Sequence, residues 1–324
     1  MVNPSSKAFA LASHFQEKSP ETPEDYSHVN KDVAWQMDHR LQLLNFWDIK
    51  PGSRVLELGC GQGDCTVPLA DTVGEKGHVD AVDPGSPDYG NSWLQSPAND
   101  FSHPTGSPQT LSQAQAQIKT TPLGSRITFY LSTNPLDFLS SLPSDAPPYD
   151  YVVLAHCIWY FETPSVLSSL IAACAGKAKH ICVAEWSLRS SLPSSQPHVL
   201  TALLLASLEA KRQVATSGNI RSVLSPKQIS SNIIQNGVFR LEKEVTNITN
   251  QGMLDGYWEV SYTLRTREKV LGRLVEQGVP EKEIAAMSAM YDAVEASVGL
   301  LDEPAEGKER SRGVRSMDFW VGRF

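Results

Sequence analysis

Apolar and polar positions along the chain keep two different rhythms. In "DVAWQMDHRLQLLNFW", Val33, Met37, Leu41, Leu44 and Phe46 recur at roughly helical spacing, which predicts a helix within an N-terminal cap over residues 1–50. After the turn Lys50–Ser53, "RVLELGCG" runs as an apolar strand into a glycine-rich loop. "CTVPLADTVG" reads as a helix, with Asp64 or Thr66 as its cap and Gly74 as its end. "GHVDAVDPGS" then alternates as a second strand and breaks at Pro84–Gly85. Strand, turn, helix and strand make a βαβ unit, and such units build parallel sheets.

The alternation continues through "SRITFYLS" (125–132), "YDYVVLAHCIWYF" (149–161) and "AKHICVAEW" (178–186). Between them, Thr163–Pro164 opens a helix that closes at Gly176. Ser225 and Gln228 have capping-box spacing before a helix closed by Gly237, and "VFRLEKEV" (238–245) is expected as the sixth strand. Ile284, Met287, Tyr291, Val294 and Val298 share one helical face, and "VRSMDFWVGRF" finishes the chain as a last strand. Residues 84–108 hold five prolines and are expected as a flexible insert. Residues 189–224 and 250–300 carry more apolar side chains than plain connections need, and read as helical caps on a domain spanning 51–324.

Composition narrows the partners. A formal charge of −8 and no dense Lys/Arg run argue against nucleic acid, whose phosphates need a basic surface. No apolar stretch reaches membrane-spanning length, and a cytoplasmic location is expected. The five cysteines lack metal-binding spacing, so no metal site is expected and a reducing compartment is.

The glycine loop carries the chemistry. A dinucleotide fingerprint counted from Gly59 would put glycines at 61 and 64, whereas this chain has Gly61, Gly63 and Asp64. Asp64 at the helix start would compete with a phosphate for the same amides, and Glu57 adds a second carboxylate. Two carboxylates around the turn suit a ligand bearing positive charge. S-adenosylmethionine, with its sulfonium and α-amino group, fits that description.

The run Glu57-Leu-Gly59-Cys-Gly61-Gln-Gly63 resembles the first motif of class I S-adenosylmethionine-dependent methyltransferases, and "VDAVDP" resembles their second-strand motif. "YDYVVLAHCIWYF" and the final "MDFWVGRF" are similar to their fourth- and seventh-strand segments. The likeness covers roughly residues 45–324, and is greatest to fungal methyltransferases of specialised metabolism. It implies a Rossmann-like α/β fold: a seven-stranded, mostly parallel sheet whose last strand is antiparallel beside the fifth, with helical cap insertions. It also implies a cofactor site at Glu57, Gly59, Gly61, Gly63 and Asp83, the last holding the ribose. Where the family places an acidic residue after the third strand, this chain has "STNPLDF", which leaves Thr133 or Asn134 for the adenine.

Reacting groups in open α/β sheets gather at strand ends. His156 is the candidate base at the fourth strand's end, against the plainer role of orienting the cofactor. Trp159, Tyr160, Trp186 and Tyr257 are candidate contacts to a small, partly apolar or aromatic acceptor, methylated on oxygen, nitrogen or sulfur. Trp258 suits core packing better than Tyr257 does. Glu185 reads equally as a substrate contact or as a cap or ion-pair partner. Two other functions share the pattern: a regulatory or scaffolding protein on this fold, and an enzyme that promotes cyclisation without moving a methyl group.

Overall fold

The computed structural model describes residues 3–16, 29–90, 109–211, 220–301 and 313–324. The chain runs α1 (Ser6–Ala12), α2 (Lys31–Trp47), β1 (Arg54–Leu58), α3 (Thr66–Val73), β2 (His78–Asp83), α4 (Leu111–Lys119), β3 (Ile127–Leu131), α5 (Pro135–Ser141) and β4 (Tyr149–Ala155). It continues with α6 (Pro164–Cys174), β5 (Ala178–Trp186), α7 (Gln196–Glu209), α8 (Pro226–Gln235), β6 (Lys243–Asn247), α9 (Asp255–Glu276), α10 (Glu281–Gly299) and β7 (Phe319–Arg323).

The sheet has seven strands in the order β3-β2-β1-β4-β5-β7-β6. β1 to β5 are parallel, and β7 lies antiparallel between β5 and β6. Successive residues of a strand face opposite sides of the sheet, so each strand feeds two cores. Val55, Val79, Val153 and Ala184 meet Met37, Leu43 and Trp47 of α2 together with side chains of α3 on one side. Leu56, Leu58, Val152, Leu154 and Val183 meet α5, α6 and α8 on the other. The β strands covered on both faces explain the near-continuous apolar runs. The indole N–H of Trp47 donates to the carbonyl of Gly322, tying α2 across the sheet to β7. α7, α9 and α10 share a third, smaller core built from Leu204, Val260, Tyr291 and Val294.

Several boundaries differ from expectation. β6 occupies 243–247 rather than 238–245, because Phe239 is buried in the α6/α8 core ahead of the strand. Likewise only 319–323 of the last apolar run is strand, while Val314 and Met317 pack before it. Neither Asp64 nor Thr66 caps α3, whose N-cap position is Cys65. The capping box of Ser225 and Gln228 is formed, and Met287, Tyr291, Val294 and Val298 are the buried face of α10. Beyond residue 90 the expected 84–108 insert lies outside the described residues, as do 212–219 of the 189–224 segment.

Candidate cofactor and active site

The strand order reverses between β1 and β4, and open α/β sheets form their ligand crevice at such a reversal. Glu57 and the glycine loop leave β1 there, beside His156 at the end of β4. Gly59, Gly61 and Gly63 have φ of +76°, +53° and +101°, a region that costs other residues roughly 1–2 kcal/mol. The three are not equivalent. A Cβ on Gly59 would lie 2.8 Å from Cys157 Cβ, and one on Gly63 would lie 2.7 Å from Ile118 Cδ1. One on Gly61 would meet nothing within 4 Å. Gly59 and Gly63 make the loop close-packed, and Gly61 faces open space.

Asp83, at the end of β2, accepts the Gly61 N–H at Oδ2 and the Gly85 N–H at Oδ1, both at 2.7 Å. Burial raises its carboxyl above the ordinary range while these two donors pull it back. Each oxygen keeps a further lone pair for an outside donor. Asn134 is exposed and caps α5, its Oδ1 accepting the Leu136 N–H at 2.8 Å. Its neighbour Thr133 donates its N–H to the Asp83 carbonyl, which brings the β3 end to the same rim.

Glu57 is 1% exposed, and burial pushes its carboxyl up to about 8 against the pull of the Thr66 hydroxyl and Arg40. Arg40 comes from α2, on the turn that also carries Met37 and Leu44 into the core. It is 8% exposed, and its Nε and one Nη have no hydrogen-bond partner among the described residues. A guanidinium stays charged and has five N–H donors to satisfy. Its charge is felt at Glu57, Asp64 and His156. Burial also raises Asp64, and Asp255 of α9 adds to that rise.

His156 has φ +52° and a side chain only 7% exposed. Its Nε2 lies 2.9 Å from Nε2 of His39, and its Nδ1 lies 3.5 Å from Oε1 of Glu185. Burial lowers its pKa against the opposing pull of Glu185. Trp186 packs on both His156 and His39, and edge-on to His198 of α7. His198 accepts the Met317 N–H at Nδ1 and therefore donates from Nε2 to Glu259 of α9, at 2.9 Å. These contacts carry the α7–α9 helices onto the end of β5.

The remaining candidates divide. Trp159 is buried, its indole N–H donating to the Leu224 carbonyl, whereas Tyr160 is 44% exposed. Tyr257 is half-buried on α9. Trp258 is exposed, contrary to expectation, because the buried stripe of α9 runs through Gly256, Val260 and Thr263, about half a turn away. Arg40 and His39 escaped the sequence reading. The signal was present: two polar residues fall inside the apolar stripe of a helix whose neighbours on that face are Met37, Leu43, Leu44 and Trp47.

A nucleoside carrying an amino acid fits these groups: Asp83 for hydroxyls, an open Gly61, Glu57 and Asp64 for an ammonium, and unpartnered Arg40 nitrogens for a carboxylate. No family model matches the chain. The crystal structure of a cyclopropane-fatty-acyl-phospholipid synthase-like protein from Lactobacillus casei superposes with a TM-score of 0.69 at 27% identity, covering 98% of this chain and 99% of that one. "Methyltransferase phomM" of Diaporthe leptostromiformis is 31% identical over 173 residues, 48% of this chain and 41% of that protein. In sequence and fold the chain resembles the class I S-adenosylmethionine-dependent methyltransferases. A "Demethylmenaquinone methyltransferase" of Lysinibacillus sphaericus adds 34% identity over 74 residues, 22% of this chain and 32% of that protein. The chain spans about two fifths of the length of the Diaporthe leptostromiformis relatives it matches. Among its described residues no helix is long and apolar enough to cross a membrane, and no group of His, Cys, Asp or Glu is placed to hold a metal ion.

Proposed function

We propose that the protein binds S-adenosylmethionine and transfers its methyl group to a small, partly apolar or aromatic metabolite, on oxygen, nitrogen or sulfur. The observation that carries this reading is the grouping around the glycine loop of open Gly61, doubly held Asp83, buried Glu57 and an Arg40 whose Nε and one Nη lack partners among the described residues. When bound, the cofactor supplies a methyl group activated on a sulfonium. Asp83 accepts from ribose hydroxyls, and Glu57 with Asp64 faces the ammonium. Arg40 holds the carboxylate, and Asn134 lies at the adenine rim.

The protein's contribution to such a displacement is proximity, orientation and acceptance of the acceptor's proton. His156, backed by Glu185, stands at that edge. Trp186, Tyr160 and Tyr257, with Trp159 behind them, give the acceptor pocket its aromatic walls, and the cap helices α2, α7, α9 and α10 exclude water from it. The charge of −8 suits a cytoplasmic enzyme acting on a metabolite rather than on nucleic acid. Incubation with methyl-labelled S-adenosylmethionine and a metabolite extract tests this. Label in a small molecule is expected; label in protein or nucleic acid alone contradicts it.

A further inference from the structure

Asp255 and Glu259 lie one turn apart on α9, so their carboxylates share one face of that helix. Glu259 is held by a histidine whose tautomer is fixed. His198 is wholly buried and accepts the Met317 N–H at Nδ1, so its proton is on Nε2, 2.9 Å from Oε2 of Glu259. Oε1 of Glu259 has no hydrogen-bond partner among the described residues, and the side chain is 15% exposed, which leaves it open to a ligand. Asp255 is tied to α2, its Oδ2 lying 3.5 Å from the amide nitrogen of Gln36, one turn before Arg40.

Contacts from three elements place this face at the end of β4. The His198 ring meets Trp186 edge-on at 5.3 Å, and Trp186 packs on His156 at 4.5 Å. Glu259, His198, Trp186 and His156 thus form an unbroken row from α9 to β4. Burial and the carboxylates of Glu259, Asp255 and Glu185 raise the Tyr160 hydroxyl, on the turn after β4, well above its usual range. The charge of Asp255 is felt also at Asp64 of the glycine loop and at His156. Among the described residues neither Asp255 nor Glu259 meets a Lys or Arg within ion-pair distance. The nearby Arg221 gives its Nε to the Tyr160 carbonyl, and Glu185 is occupied by the N–H groups of Ile158, Trp159 and Trp186. Like charges on one helix face repel, so the pair on α9 lacks a counter-charge. At the same strand end, Nδ1 of His156 is buried without a hydrogen-bond partner among the described residues, a polar position left open.

We propose that the methyl acceptor carries an amino group, and that Glu259, aided by Asp255, is the residue that selects it. The ammonium donates to the free Oε1 of Glu259 and supplies the counter-charge that the α9 face lacks, with the ring of Tyr160 beside it. Glu259 is a specificity-determining residue, and His198 keeps its carboxylate aimed. The inference rests on the methyl-transfer reading, but its test does not.

The test is ligand-observed NMR of the full chain, with and without S-adenosylhomocysteine, using phenethylamine, phenethyl alcohol and phenylacetate. The three share a ring and differ in charge. At pH 7 the amine should bind about 10–100-fold tighter than the other two, the worth of a charge-assisted hydrogen bond. Glu259→Gln should erase that preference and still fold, because the amide carbonyl can accept the His198 N–H. Asp255→Asn should reduce the preference in part, and melting curves check both variants. Equal binding of the three probes (including none), tighter phenylacetate, or an intact amine preference in folded Glu259→Gln overturns the proposal. Calorimetry with S-adenosylhomocysteine on the same samples is read separately, and a failure there bears on the cofactor reading alone.

Discussion

The hydroxyl of Thr66 donates to Oε2 of Glu57 at 2.6 Å, beneath the glycine loop and away from water. That single bond does not offset burial, and the carboxyl is pushed up to about 8. A raised acid costs stability as pH climbs from its unfolded value toward the folded one, so the ligand-free protein should lose stability between roughly pH 4.5 and 8. An ammonium beside Glu57 reverses the shift. Binding of S-adenosylhomocysteine at pH 7 should therefore release a proton, seen calorimetrically as an enthalpy that varies with the buffer's ionisation heat. Glu57→Gln should abolish that dependence and flatten the stability loss.

Gly61 and Gly63 separate a ligand contact from a packing requirement. Gly61→Ala pays only the positive-φ strain of roughly 1–2 kcal/mol, because its Cβ enters open space. It should fold and lose cofactor affinity. Gly63→Ala drives a Cβ to within 2.7 Å of Ile118 Cδ1, and should lower the thermal midpoint as well. Melting curves and calorimetry on the two variants check the contrast; equal melting losses would contradict it.

Arg40→Gln should weaken S-adenosylhomocysteine about 10–100-fold, the equivalent of about 1.5–3 kcal/mol for lost charge-assisted hydrogen bonds. The affinity of 5′-methylthioadenosine, which lacks the carboxylate, should stay the same. Because the buried guanidinium has unpartnered nitrogens, its removal should leave the melting midpoint unchanged or raised. Equal losses for both ligands would place Arg40 in structure rather than at the carboxylate.

The sheet was legible because both of its faces are buried: Val55 and Leu56 feed opposite cores, so strands read as apolar runs whatever their order. The place of the last strand came from resemblance, since nothing in "MDFWVGRF" itself says that it enters between β5 and β6. Boundaries slipped where apolar residues pack outside the ladder, as Phe239 and Met317 do. The glycine loop was legible because positive φ leaves few choices of residue. Arg40 and His39 were not, because their meaning depends on what α2 meets across the sheet. A polar residue in an apolar stripe says only that a partner exists, and the partner of His39 is 117 residues away.

Asp83 tests the central claim most directly. Its two oxygens are held by Gly61 and Gly85, so the carboxylate is fixed in place before any ligand arrives. Calorimetric titration of S-adenosylhomocysteine should show one site per chain in the wild-type protein, with a loss on the order of 1.5–3 kcal/mol per ribose hydrogen bond in Asp83→Ala. Folding of the variant is checked by its melting transition. Unchanged affinity in a folded Asp83→Ala, or no binding to the wild-type protein, would contradict the account.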